Sequence, residues 1–274
     1  MRADYAITFA CYNQREFTER FIASLDREAV DFSRIIAVDN GSTDGTREWL
    51  GTLGLGGVIL NRHNLGCGAA WNQGAMALQA EWTIVMNNDV ICAEGWLHGL
   101  IEGARRHQLS IASPGLIEGE LDYDFPAFEA DARHRLDGYC RHGRANAVCM
   151  AIHQEVWAQI GYFLPVPRLL GYEDTIFFRQ VEQARIACGM VGSAWLHHFG
   201  MTTQKAVKLE RQMAERDSLG NRALFRHYMN QSWLERKWLK RRSQAQTRNS
   251  MRQELERFRM TVHGLRINGD FEWH

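Results

Sequence analysis

The sequence predicts an α/β fold whose mainly parallel sheet is flanked by helices. Short apolar runs alternate with helix-like stretches through the first two thirds of the chain. The clearest run, Ile35 to Val38, suits a strand buried on both faces. It then breaks into Asp39-Asn40-Gly41-Ser42-Thr43-Asp44-Gly45-Thr46, a strand-to-helix turn at the kind of sheet edge where open α/β folds bind ligands.

Taken in order, Tyr5 to Ala10 reads as the first strand. Gln14 to Arg27 follows as an amphipathic helix with Phe17, Phe21, Ile22 and Leu25 on one side. After Ile35–Asp39, Asn40-Gly41 and Asp44-Gly45 tolerate positive φ, and Ser42 or Thr43 is placed to cap a helix around Thr46 to Leu50. Val58 to Leu60 is a short strand and Cys67 to Ala80 an Ala-rich helix. Trp82 to Met86 is a strand ending in Asn87-Asn88-Asp89. Trp96 to His107 reads as helix, Leu109 to Ser113 as strand, and Asp174 to Arg185 as a later helix opened by Glu173-Asp174. Strands joined through helices imply right-handed crossovers in a parallel sheet.

Composition sets further bounds. A 274-residue chain with 45% hydrophobic and 23% charged residues is ordinary for a globular protein. No apolar run is long enough to span a bilayer, and the N-terminus has acidic Asp4 and no leader pattern. The expectation is a cytoplasmic protein. Cys11, Cys67, Cys92, Cys140, Cys149 and Cys188 are scattered without a CxxC pair, which argues against a structural zinc site and for reduced, buried thiols. The zero net charge conceals an asymmetry: residues 1–204 carry 24 acidic and 16 basic residues, residues 205–274 carry 8 and 16, and no lysine precedes Lys205. A boundary near Thr203 therefore separates a main domain, 1–203, from a basic helical extension, 204–274.

The ends of successive parallel strands open onto one edge, so Asp39 and Asp89 are expected to share a cleft. Several segments together resemble the family 2 inverting glycosyltransferases of the GT-A fold. They are Thr8-Phe9-Ala10-Cys11-Tyr12-Asn13, Val38 to Thr46, Asn64-Leu65-Gly66 with Ala69-Ala70-Trp71-Asn72-Gln73-Gly74, Asn87-Asn88-Asp89, Gly171-Tyr172-Glu173-Asp174 and His198-Phe199-Gly200. Each is short; six in family order cover most of residues 5–203.

The resemblance implies a nucleotide-diphosphate sugar donor and a glycan acceptor hydroxyl. Asp39 would contact the donor base, with Thr8, Phe9, Ala10 and Tyr12 nearby; a uracil or thymine imino N–H suits it, but guanine also offers donors, so Asp39 does not choose the base by itself. Asn64, Gly66, Asn72 and Asn88 would line the donor side. Asp89 would bind Mn2+ or Mg2+, although Asn87 replaces the first acid of the family's usual pair. A divalent ion stabilises the charge growing on the leaving diphosphate. His198 would be a second ligand, with adjacent His197 as the alternative; an imidazole in the set favours manganese. Asp174 would be the catalytic base, with Glu173 orienting the acceptor or replacing it. Ile176 stands where the family often has a further acid.

Glu118 to Arg144 is the expected acceptor region; its aromatic residues, with Tyr123, Phe125, Phe128 and Tyr139 among them, stack on sugars or form a small core. Arg222 to Arg242 mixes aromatic and basic residues. It suits a helical cap that packs Trp233 and Trp238, a homo-oligomer contact, or peripheral contact with an anionic membrane carrying lipid-linked acceptors. Nucleic acid is not expected. The rival readings are a non-catalytic nucleotide-sugar or glycan-binding module and a sugar-phosphate nucleotidyltransferase, whose Gly-rich basic N-terminal signature is missing.

Overall fold

The computed structural model describes residues 4–165, 172–200, 207–208, 210, 212 and 222–274. Gly171 and the boundary near Thr203 lie outside them. In chain order the first elements are β1 (Tyr5–Cys11), α1 (Arg15–Arg27), β2 (Ile35–Asp39), α2 (Thr46–Leu50), β3 (Gly57–Leu60), α3 (Cys67–Ala77) and β4 (Trp82–Asn87). Then follow β5 (Val90–Cys92), α4 (Trp96–Arg106), β6 (Ile111–Gly119), α5 (Phe125–Leu136), β7 (Cys140–His142) and β8 (Cys149–His153). The remainder is α6 (Gln154–Ile160), α7 (Glu173–Gln183), β9 (Cys188–His198), α8 (Arg222–Met229), α9 (Trp233–Phe258), β10 (His263–Ile267) and β11 (Asp270–Trp273).

The first four strands stand in the order β3-β2-β1-β4 and are all parallel, as the alternating pattern predicts. Beyond β4 the sheet is mixed. β8 is antiparallel to both β4 and β6, while β9 runs parallel to β6 and antiparallel to β5 and β7. Mixed sheets of this kind are common among large α/β folds.

Helices cover both faces. On one, Phe21 and Leu25 of α1 and Trp96 and Leu100 of α4 pack with Phe9 and Trp195. On the other, Ala70 and Trp71 of α3 meet Phe163 and Phe177. Each fully buried aliphatic or aromatic side chain contributes about 1.5–3 kcal/mol. α3 lies close on β1 because residue 74 is glycine: a Cβ there would stand 1.8 Å from Thr8 Oγ1.

The helical extension also contains strands. After α9, residues 263–273 form a hairpin, and β10 joins the main sheet parallel to β6. Its turn is Asn268-Gly269, both at positive φ, the geometry such a two-residue loop requires. The end of α9 is clamped to the domain by a buried ion pair, Arg141 Nε and Nη2 donating to Glu254 at 2.7 and 2.6 Å. Tyr139 Oη and the Val262 N–H donate to the same carboxylate. The cap also differs from expectation. Phe225 of α8 stacks on Tyr172 at 4.5 Å, whereas Trp233 and Trp238 are 61% and 58% exposed instead of packed.

Candidate active site

β4, β6 and β9 end at one edge of the sheet, and there the structure gathers two carboxylates and two imidazoles. Asp89, just beyond β4, places Oδ1 3.2 Å from His198 Nε2 at the end of β9. His198 Nδ1 lies 3.4 Å from Glu118 Oε2 at the end of β6. Glu118 Oε1 in turn meets His263 Nε2 of β10 at 2.7 Å. Burial opposes a charged His198, but close contact with Asp89 and Glu118 outweighs it and carries the group up to about 9. Contacts from His198 and then His263 hold Glu118 well below the usual carboxylate range.

His197 turns the other way. Its Nδ1 meets the Tyr123 hydroxyl at 3.0 Å, and its ring packs edge-on to Tyr123, Phe125 and Phe199. Burial, then the neighbouring His198, push it down to about 4, so it is neutral. Alternation along the strand thus puts His198 beside Asp89 and His197 in an aromatic core. Phe128 also packs on Trp195 and Phe271, so these aromatics of the expected acceptor region are core rather than sugar platforms.

Among the described residues, both ring nitrogens of His198 are buried and lack an aligned hydrogen-bond partner, although carboxylates lie within ion-pairing distance. A carboxylate oxygen beside an imidazole nitrogen suits Mn2+, and Mg2+ less well. The residues present fit such an ion. Glu118 faces the opposite ring nitrogen, where a carboxylate fixes the tautomer that leaves Nε2 available to a metal.

The second group comes from α7. A Cβ on Gly68, at the start of α3, would stand 3.0 Å from Glu173 Cβ and Cγ, so glycine permits α3 and α7 to meet there. Glu173 is buried in that contact. Asp174 instead lines a cavity of about 460 Å³, with Arg144, Asn146, Phe178, Gln246 and His263. Burial raises the Asp174 carboxyl above its ordinary value against the opposing hydrogen bonds from Thr175. Cys67 links the two groups. Dense surroundings and then the charges of Glu173, Asp89 and Asp174 push its thiol up to about 12, although the residue reaches the surface. Asp174 shares its cavity with His263, the residue that meets Glu118.

On the expected donor side, most polar groups are committed to the scaffold. Asp39 is fully buried; its Oδ1 accepts from the Gly41 and Ser42 N–H groups at 3.1 Å and lies 3.3 Å from Arg47 Nε. Its Oδ2 meets the Cys11 thiol at 3.8 Å. Asn64 Oδ1 accepts from the Gly66 N–H at 2.9 Å, and Asn40 Nδ2 donates to the Gly66 carbonyl. Asn72 exchanges two hydrogen bonds with the Phe163 backbone at 2.7 and 3.0 Å, and so points at that loop rather than into the cleft. Asn88 donates to Thr18 Oγ1 at 2.8 Å and fastens α1. Thr8 and Phe9 sit inside the sheet, Thr8 under α3 and Phe9 against Phe21 at 5.1 Å, so both brace the strand. Ala10 packs with Val38 and Ala70. Tyr12, beyond the strand, donates its hydroxyl to Glu210 at 2.5 Å.

Glu118 and His263 escape the sequence reading. Proline and glycine at 114–115 suggest that the strand stops at Ser113, but β6 continues through a register shift between those two residues. The Asn268-Gly269 pair is the signal that locates β10, and with it His263.

A family model described as Glycosyl transferase family 2 matches residues 7–143. No curated protein sequence matches the chain. Solved structures share the fold. GalNAc-T7 with UDP, GalNAc and Mn2+ superposes with a TM-score of 0.56 at 13% identity, covering 83% of this chain and 54% of that one. The mannosyltransferase PcManGT from Pyrobaculum calidifontis, in complex with GDP-Man and Mn2+, gives 0.55 at 15% identity, covering 77% and 61%. S. aureus TarS 1–349 gives 0.54 at 13% identity, covering 78% and 66%. The chain thus spans less than two thirds of the length of these structures.

Proposed function

The chain belongs to glycosyl transferase family 2, and from that premise we propose an inverting transfer of a sugar from a nucleotide-diphosphate donor to a glycan hydroxyl. The observation that carries the proposal is the Asp89–His198 pair at the sheet edge, with Asp174 lining a cavity that reaches His263, the neighbour of Glu118. Asp89 and His198 Nε2 would hold a divalent ion, Mn2+ before Mg2+, and the ion supplies Lewis-acid stabilisation to the leaving diphosphate. The Mn2+ bound by GalNAc-T7 and PcManGT supports that choice.

Asp174 receives the acceptor's proton as the acceptor oxygen bonds to the anomeric carbon and the bond to the diphosphate oxygen breaks. Its raised affinity for a proton suits the role. Glu173, turned towards α3, positions α7 rather than the acceptor. The cavity beside Asp174, with donors from Arg144, Asn146 and Gln246, takes the acceptor. Glu118 orients His198 from the far side of its ring.

Asp39 favours a UDP- or dTDP-sugar. Its Oδ1 is committed to the turn, while Oδ2 has, among the described residues, only a weak thiol donor. The base reaches that oxygen when the Asn40–Asp44 turn shifts. Among the neighbours, GalNAc-T7 was solved with UDP, whereas PcManGT was solved with GDP-Man, so the base must be tested directly.

A setting in bacterial surface polysaccharide assembly, at the inner membrane face, fits α9. Trp233, Leu234 and Trp238 are exposed there, with Lys237 and Arg242 over the two indoles. No helix among the described residues is long and apolar enough to cross a membrane. Incubation with UDP-, dTDP- and GDP-sugars, Mn2+ and glycan acceptors tests the proposal. Product with inverted anomeric configuration supports it. Retained configuration overturns the direct displacement, and donor binding without turnover, unchanged by Asp174→Asn, favours a binding module.

A further inference from the structure

A second cluster of metal-ligating side chains stands apart from Asp89 and His198. Cys140 and His142 project from the same face of β7, two residues apart, and His107 follows the last turn of α4. One ligand atom from each, the Cys140 sulfur and a ring nitrogen of each histidine, all lie within 4.8 Å of one another. His142 pairs with Gly189 near the start of β9, whereas His198 ends that strand. β9 bulges between Val191 and Trp195, and the six residues from Ala112 to Glu118 alongside it put the two clusters on the order of 20 Å apart.

Three features indicate a ligand. The Nε2 of His107 is buried with no hydrogen-bond partner among the described residues, an uncommon state for a polar atom. The sulfur approaches its surroundings closely: a Cβ on Gly189 would stand 2.7 Å from Cys140 Sγ. Finally, the partly exposed arrangement, with His142 at the surface and also bordering the Asp174 cavity, gives an ion an entry path.

We propose that His107, Cys140 and His142 form a binding site for a thiophilic divalent ion, with Zn2+ the best match. One thiolate and two imidazoles leave the fourth tetrahedral position to water or another ligand. The scattered cysteines hide the site because its donors come from separate elements. Binding forms a metal–sulfur bond and releases the Cys140 thiol proton to solvent. The ion would tie the end of α4 to β7, independently of the transferase reading.

Co2+ serves as the spectroscopic probe. Titrating it into the full, metal-free chain is expected to give a thiolate-to-cobalt charge-transfer band that saturates at one equivalent and is displaced by Zn2+. The band should persist in Cys67→Ser, which removes the thiol near Asp89, and in His198→Ala. It should vanish in Cys140→Ser, and His107→Ala should weaken Co2+ binding by at least about tenfold. No thiolate band in the unaltered chain overturns the proposal without reliance on any variant. A band that survives Cys140→Ser overturns it equally, because the sulfur then comes from elsewhere.

Discussion

Replacing Glu118 tests how the sheet edge is organised, because this carboxylate touches His198 on one side and His263 on the other. In Glu118→Gln the shape is kept and the charge removed. His263 retains an acceptor at the 2.7 Å contact, but His198 loses the carboxylate 3.4 Å from Nδ1. Glu118 is 32% exposed, so water screens part of its charge. That places the expected loss of Mn2+ affinity towards the lower end of the about 10–100-fold range for a residue that orients a metal-bound histidine. About tenfold corresponds to ~1.4 kcal/mol. Glu118→Ala removes both contacts and should reach the upper end. Mn2+ titration followed by electron paramagnetic resonance, with UDP present, measures the affinity; thermal unfolding of the same samples measures the fold. Unchanged Mn2+ affinity in both variants, even with lower stability, would refute the positioning role and leave Glu118 as a strut for β10.

Other perturbations separate scaffold from chemistry. Glu254→Gln breaks an ion pair whose side chains are 0% and 3% exposed, and should cost about 3–5 kcal/mol in urea unfolding. Asn72→Ala orphans the N–H and C=O of Phe163 and should cost about 2–3 kcal/mol by the same measurement. Asp174→Asn should lower kcat by about 10²–10⁴-fold with little change in donor affinity. It should also stabilise the fold at neutral pH. Burial raises the Asp174 pKa above its unfolded value, so the native chain loses stability as pH climbs through the raised pKa. The asparagine variant escapes that loss, and its advantage in melting temperature should fade as pH falls below the ordinary carboxylate value.

The first half of the fold is legible because its information is local. β1 to β4 and α1 to α4 begin and end within a few residues of the places that apolar runs, turn formers and glycines predict. The positions of Asp89 and Asp174 in the fold are legible for a related reason: Asp89 lies just beyond β4 and Asp174 in the first turn of α7. Long-range pairing is what the sequence conceals. Glu118 meets His263 across 145 positions, after a strand that runs past its own Pro-Gly punctuation. Glu254 meets Arg141 across 113 positions, from a helix whose basic composition resembles a solvated surface. Burial, too, reverses some expectations. Asn72 and Asn88 look like donor contacts by residue type, but each has spent its amide on a neighbouring element.

The central claim is that Asp89 and His198 form the metal end of a transfer site and Asp174 its proton-accepting end. Single-turnover transfer from the best donor, in saturating Mn2+, compares the unaltered chain with Asp89→Asn, His198→Ala and Asp174→Asn. The account predicts that the first two variants lose Mn2+-dependent donor binding, while Asp174→Asn binds donor normally and fails in the transfer step. Full transfer by Asp89→Asn at the same Mn2+ concentration would contradict it.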